Sequence, residues 1–182
     1  MTMSLLRVIA LAALTGLAAC SDSGTENVLP GPVAMTEEAV GHYCNMNVLE
    51  HEGPKAQIHL KGIAEPVWFT QVRDAVAFLR SPEELYEAVV VYVHAMDKAE
   101  SWAQPGDGAW IDANEAWFVI GSRRIGGMGA PEAIPFSNSA AAEAFMTEHG
   151  GSAVRLAGIS DDYVLGPVEI SKALPVHQGE HQ

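Results

Sequence analysis

Cys44 and Met46 stand one residue apart in His42-Tyr43-Cys44-Asn45-Met46-Asn47-Val48, so a thiol and a thioether share one short piece of chain. Soft sulfur donors select soft, low-charge metals, and Cu(I) is the ion such a pair suits best. Cysteine binds as thiolate, and binding shields it from oxidation. A neutral thioether keeps the charge of the site low, which favours Cu(I) over Cu(II). In an extended segment residues i and i+2 project to one side, which would aim both sulfurs at one ion. A third sulfur, Met128, lies far downstream in Gly126-Gly127-Met128-Gly129. Glycine costs entropy and offers no packing area, so three of them around a methionine suit a mobile loop that presents one large side chain. The expectation is that the two segments meet and hold one copper ion. Plainer readings stand beside it: methionine fills core gaps more often than it binds metal, and a glycine-rich turn needs no ligand role.

The remaining polar candidates are weaker. His42 could lend a nitrogen or simply lie at the surface, and His51 with Glu52 could stand behind the ligands. No His-Glu-x-x-His spacing occurs. Met96 and Met146 fall in apolar patterns and read as core. His177 and His181 are four apart in a polar tail without other helical support. Glu83-Glu84 and Asp161-Asp162 read as a helix start and a polar turn, not as paired catalytic carboxylates.

The elements that must carry these residues can be read from periodicity. Gln57-Ile58-His59-Leu60 alternates as a strand does, and Val67-Trp68-Phe69 suggests a second. Val72, Ala75, Val76 and Leu79 mark one face of a helix over 71–80, with Thr70 as its cap. Ser81-Pro82-Glu83-Glu84 has the form of a capping box and predicts a further helical turn. Val89 to Val93 is a β-branched run expected at the centre of a sheet. The grammar then repeats: a strand over 116–120, an extended piece over 133–136, a helix capped by Ser137 or Ser139, a stop at Gly150-Gly151, and a strand over 153–156. A shift of 67 places aligns Phe69 with Phe136, Thr70 with Ser137, Ala75 with Ala142 and Phe78 with Phe145. The fold class expected is α+β, built from two similar ββαβ-type units.

Ahead of these units lies an address. Arg7 is followed by an apolar run from Val8 to Ala19, too short to span a hydrocarbon layer of ~30 Å. Its ending, Leu17-Ala18-Ala19-Cys20, has the form of a bacterial lipobox, with Cys20 as the lipidated mature N-terminus. Removing residues 1–19 takes away Arg7 and no acid, so the mature chain has 9 basic and 23 acidic residues, a formal charge of −14. That balance excludes a nucleic-acid partner, whose phosphates it would repel. Cys44 is then left without a pairing cysteine in an oxidising compartment, either buried and inert or occupied by metal. The organisation expected is a signal peptide over 1–19, the lipidated Cys20 and a flexible tether over 20–33, a domain over 34–166 with halves at about 34–100 and 101–166, and a loose tail over 167–182.

Four stretches carry a family resemblance: Cys44-Asn45-Met46-Asn47-Val48, Lys55-Ala56-Gln57-Ile58-His59-Leu60, Pro66-Val67-Trp68-Phe69, and Gly126-Gly127-Met128-Gly129-Ala130-Pro131-Glu132-Ala133. With the lipobox in place, they resemble the NosL family of periplasmic copper-chaperone lipoproteins, over about Tyr43 to Gly158. The resemblance implies paired ββαβ-type units related to the organomercurial-lyase fold. It implies Cu(I) binding and copper delivery for the nitrous-oxide reductase centre, with a membrane ABC-type complex as docking partner. It implies a non-enzymatic, lipid-anchored periplasmic protein, with Cys44, Met46 and Met128 as ligands. Asn45 departs from the family pattern, which often has glycine between cysteine and methionine. The competing readings are an organomercurial-lyase-like thiol enzyme, which would want a second thiol or an adjacent base, and a structural lipoprotein with an inert Cys44.

Overall fold

The computed structural model describes residues 29–168. The signal segment, Cys20, most of the tether, and the tail with His177 and His181 lie outside the described residues. Among the described residues no helix is long and apolar enough to cross a membrane.

The first sheet is antiparallel throughout, in the order β2-β1-β3-β4, from β1 (Ala56–Leu60), β2 (Val67–Phe69), β3 (Ala88–His94) and β4 (Trp110–Asp112). Helix α1 (Val72–Arg80) joins β2 to β3 and lays Val72, Ala75, Val76 and Phe78 on Ala56, Ile58 and Leu60 of β1. The second sheet has the order β6-β5-β7, from β5 (Trp117–Ile120), β6 (Ile134–Phe136) and β7 (Ser152–Val154). Helix α2 (Ser139–His149) joins β6 to β7, and a short α3 (Asp161–Leu165) returns to pack on α1. Strand order β2-β1-β3 and strand order β6-β5-β7 are one topology used twice. The shift of 67 holds at element level: β2 and β6 begin at 67 and 134, and α1 and α2 at 72 and 139. Strand β4 belongs to the first sheet, so the second unit begins beyond Asp112 rather than near 101.

Strand alternation sends neighbouring side chains of β5 to opposite faces. Phe118 enters the core under α1, and Val119 enters a second core with Ile134, Phe136 and Ala142 under α2. The two units therefore share apolar packing through one strand.

Several local expectations are corrected. Thr70 does not cap α1; Gln71 occupies that position without a side-chain cap bond, and the Thr70 hydroxyl lies 3.5 Å from the Cys44 sulfur. Ser81 closes a turn, with Glu84 N–H on its carbonyl at 3.3 Å, but no helix follows. Asn138, not Ser137 or Ser139, caps α2 by accepting the Ala141 N–H at 2.9 Å. Gly150 stops α2 as expected, with φ 72° and its N–H on Met146. Strand β1 is buried on both faces, although its sequence alternates. Gln57 and His59 are covered because the chain entering from Pro30 crosses that face. The Gln57 amide donates to the Val33 carbonyl at 3.0 Å and accepts the Val33 N–H at 2.8 Å, while the Tyr92 hydroxyl donates to Pro30 at 2.7 Å. The chain is thus tied to the sheet upstream of residue 34, the boundary expected from composition.

Candidate metal centre

Residues 40–47 form a tight loop against the edge of β2. Val40 bridges Asn47, and Gly41 bridges Trp68. Gly41 N–H donates to Met46 at 2.9 Å, Asn45 N–H to Gly41 at 2.8 Å, and His42 N–H to Trp68 at 2.7 Å. Asn45 turns the chain at φ 54°, the left-handed region open to glycine and, among other residues, most readily to asparagine. The backbone at this position is thus one that glycine also adopts readily. The turn also means that Cys44 and Met46 are not the i, i+2 pair of an extended segment. Cys44 is half-buried, with its sulfur against the Thr70 hydroxyl and 3.9 Å from the Gly41 carbonyl. A Cβ on Gly41 would lie 2.6 Å from that sulfur, so only glycine leaves the thiol its place. Met46 is 37% exposed.

His42 is drawn elsewhere. Its ring packs among Tyr43, Phe69 and Phe78 at 5.0–5.8 Å, and its Nε2 lies 3.7 Å from a Glu84 carboxylate oxygen. Tyr43 reaches the same carboxylate at 3.4 Å, and its hydroxyl is pushed up to about 12 by burial and by the Glu84 charge.

The Met128 segment is a hydrogen-bonded hairpin. Ile125 bridges Pro131, Gly126 N–H donates to Ala130 at 2.9 Å, and Gly129, at φ 76°, donates back to Gly126 at 2.9 Å. Met128 stands at its tip, 36% exposed. The other two glycines allow close approach. A Cβ on Gly126 would come within 2.6 Å of Gln71 Nε2 and 2.7 Å of Glu132 Oε2. One on Gly127 would run into the Glu52 carbonyl and lie 3.0 Å from His51 Cβ. His51 thus stands behind the Met128 hairpin, its Nε2 buried without a partner, and borders a cleft of about 280 Å³ with Met35, Val48, Leu49 and Lys55.

The consecutive buried residues Thr70 and Gln71 consequently adjoin both segments, Thr70 at Cys44 and Gln71 at the Met128 hairpin. Beneath lies a polar group that sequence reasoning did not single out. Lys55 is buried, and its ammonium donates to the Glu52 and Gly53 carbonyls at 3.0 and 2.7 Å. Burial pulls it down to about 8, against the nearby charges of Glu132 and Glu52. Glu132, also buried, is pushed up to about 8 by burial, although Oε1 accepts the Arg73 and Ala133 N–H groups at 2.8 Å each. Both residues sit inside the family-like motifs, but nothing in their spacing marks two charges as buried together.

Among the described residues no group of three His, Cys, Asp or Glu side chains could hold a metal, and Cys44 is the free cysteine. What the surface offers is one thiol and two accessible thioethers, a donor set that fits a soft monovalent ion better than a hard divalent one.

The NosL family model matches residues 32–164. The chain is 51% identical over 163 residues to the copper-binding lipoprotein NosL of Achromobacter cycloclastes, covering 89% of this chain and 83% of that protein. It is 30% identical over 141 residues to the copper-binding lipoprotein NosL of Stutzerimonas stutzeri, covering 77% and 72%. The fold is similar to the crystal structure of the copper chaperone NosL from Shewanella denitrificans, with TM-score 0.66, 35% identity, and coverage of 71% of this chain and 96% of that one.

Proposed function

The chain belongs to the NosL family, and from that premise we propose that it is a lipid-anchored periplasmic metallochaperone that binds Cu(I) through Cys44, Met46 and Met128. The observation that carries this reading is that the thiol of Cys44 and the thioethers of Met46 and Met128 are all accessible, on loops that adjoin the consecutive residues Thr70 and Gln71. One thiolate with two neutral thioethers holds Cu(I) without accumulating charge, and half-exposed donors leave room for a recipient's ligand to enter before the last one leaves. Exchange of that kind suits delivery better than a closed four-ligand cage.

The destination is the catalytic copper centre of nitrous-oxide reductase, reached through a membrane ABC-type complex, with the chain held at the membrane by lipid on Cys20. The formal charge of −13 on the full chain would steer it towards a basic face on that complex. Its role is carriage; a thiol enzyme of the organomercurial-lyase kind would want a second thiol or an adjacent base beside Cys44.

The test is anaerobic Cu(I) titration of a form beginning at Ser21 against a competing chelator, with Cys44→Ser, Met46→Ala and Met128→Ala alongside. One ion per chain is expected, with Cys44→Ser weakening it on the order of 100-fold or more, about 2.8 kcal/mol, and each methionine variant weakening it less. Binding unchanged in all three variants would sink the sulfur site.

A further inference from the structure

We propose that Gln71 and Glu132 are positioning residues that seat the Met128 hairpin, and that Gly126 is glycine so that the hairpin can rest on them. The inference builds on the three-sulfur reading above.

Gly126 has no φ that demands glycine, so its lack of a side chain is explained by contact alone. Its Cα sits directly over two buried side chains: a methyl there would lie 2.6 Å from Gln71 Nε2, 2.9 Å from Gln71 Cδ and 2.7 Å from Glu132 Oε2. Glu132 fixes the exit of the hairpin as well, because its other oxygen holds the Arg73 N–H at the start of α1 and the Ala133 N–H next in the chain. Gln71 is joined by one peptide bond to Thr70, whose hydroxyl meets the Cys44 sulfur. A displacement of the hairpin would therefore move Met128, the ligand it carries in the three-sulfur reading.

The seat is also built to be left. Gln71 Nε2 and Glu132 Oε2 are both buried, and neither has a hydrogen-bond partner. Burying polar atoms unpaired is costly, and lifting the hairpin would return both to water. Met128 is then the ligand that detaches first, while Cys44 and Met46 sit on a loop bonded to β2.

Gly126→Ala tests this in two ways. In the apoprotein, amide hydrogen exchange across residues 124–131 should speed up, and Gln71→Ala in the same chain should restore part of the protection by giving the methyl room. In the copper-loaded protein, Gly126→Ala should weaken Cu(I) about 10-fold, the lower end of what outer partners of metal ligands contribute. Because it acts through Met128, Gly126→Ala combined with Met128→Ala should bind no more weakly than Met128→Ala alone. Wild-type exchange in Gly126→Ala, or losses that add fully in the double variant, would overturn the proposal. If Met128→Ala by itself leaves affinity unchanged, the three-sulfur reading fails, and with it any role of the seat towards copper. The exchange data then still report whether Gln71 and Glu132 hold the hairpin.

Discussion

Thr70 looks from the sequence like a helix cap, yet its hydroxyl turns to Cys44 and leaves Gln71 at the head of α1 without a side-chain cap bond. A helix start normally gains from such a cap, so the local preference gives way to a contact with the thiol. When Cys44 binds a metal its sulfur is a thiolate, and the Thr70 hydroxyl at 3.5 Å is placed to donate to it. A hydrogen bond to a charged acceptor is worth about 1.5–3 kcal/mol net. Thr70→Val keeps the shape and removes the donor, so Cu(I) affinity should fall by roughly 10- to 100-fold. Chelator competition measures it, and unchanged affinity would mean that the hydroxyl serves packing only. The candidate sulfurs stand out in the sequence because their chemistry is written in residue type. The partners of those sulfurs do not, because a threonine ahead of a helix has a local explanation that hides the distant one.

At the level of elements the internal repeat was the most legible feature, since amphipathic period and strand alternation recur at a constant offset. Contacts that no pattern announces are similar in kind at the repeated positions. The Trp68 carbonyl accepts the His42 N–H, and Thr70 meets Cys44; 67 places on from Trp68 and Thr70, the Pro135 carbonyl accepts the Met96 N–H, and Ser137 meets Asp97. Asp97, which lies between β3 and β4, therefore meets Ser137 as Cys44 meets Thr70. There the carboxylate accepts the Ser137 N–H at 2.7 Å, the Ser137 hydroxyl, and the Asn138 amide at 3.3 Å, which fixes the residue that caps α2. One of these contacts holds the start of a helix, and the other leaves a free thiol. Asp97→Ala should accordingly lower stability by about 1 kcal/mol, given that the lost bonds are solvent-exposed, and leave Cu(I) affinity at the wild-type value. Cys44→Ser should do the reverse, and urea unfolding beside copper titration separates the two. Boundaries were less legible: β4 is three residues long and is defined by pairing with β3, and the covering of β1 by residues 30–33 depends on a contact between Val33 and Gln57 that lie 24 positions apart.

Across the whole molecule, Glu132 is where the two units are fastened. It belongs to the second unit, yet Oε1 binds the Arg73 N–H in α1, and its backbone carbonyl accepts the Tyr163 hydroxyl at 2.8 Å. Lys55, from the first unit, is buried near enough for the two groups to feel each other's charge. Burial raises the Glu132 carboxyl from 4.5 to about 8, so between those values the folded chain holds a proton that the unfolded chain has given up. Stability drawn from this group is therefore greatest in acid and falls as pH rises towards 8. Lys55 behaves in the opposite sense. Its folded value is lowered from 10.5 to about 8, so between 8 and 10.5 the unfolded chain binds the extra proton, and stability rises with pH across that window. The pair together places a trough in stability near pH 8. Glu132→Gln keeps an acceptor for Arg73 and Ala133 and should flatten the falling limb, while Lys55→Met should flatten the rising one. Melting temperatures recorded from pH 4.5 to 10.5 test both limbs on the apoprotein. A falling limb that survives Glu132→Gln unchanged would show that another group produces it, and that the Glu132 carboxyl does not hold a proton in the fold at neutral pH.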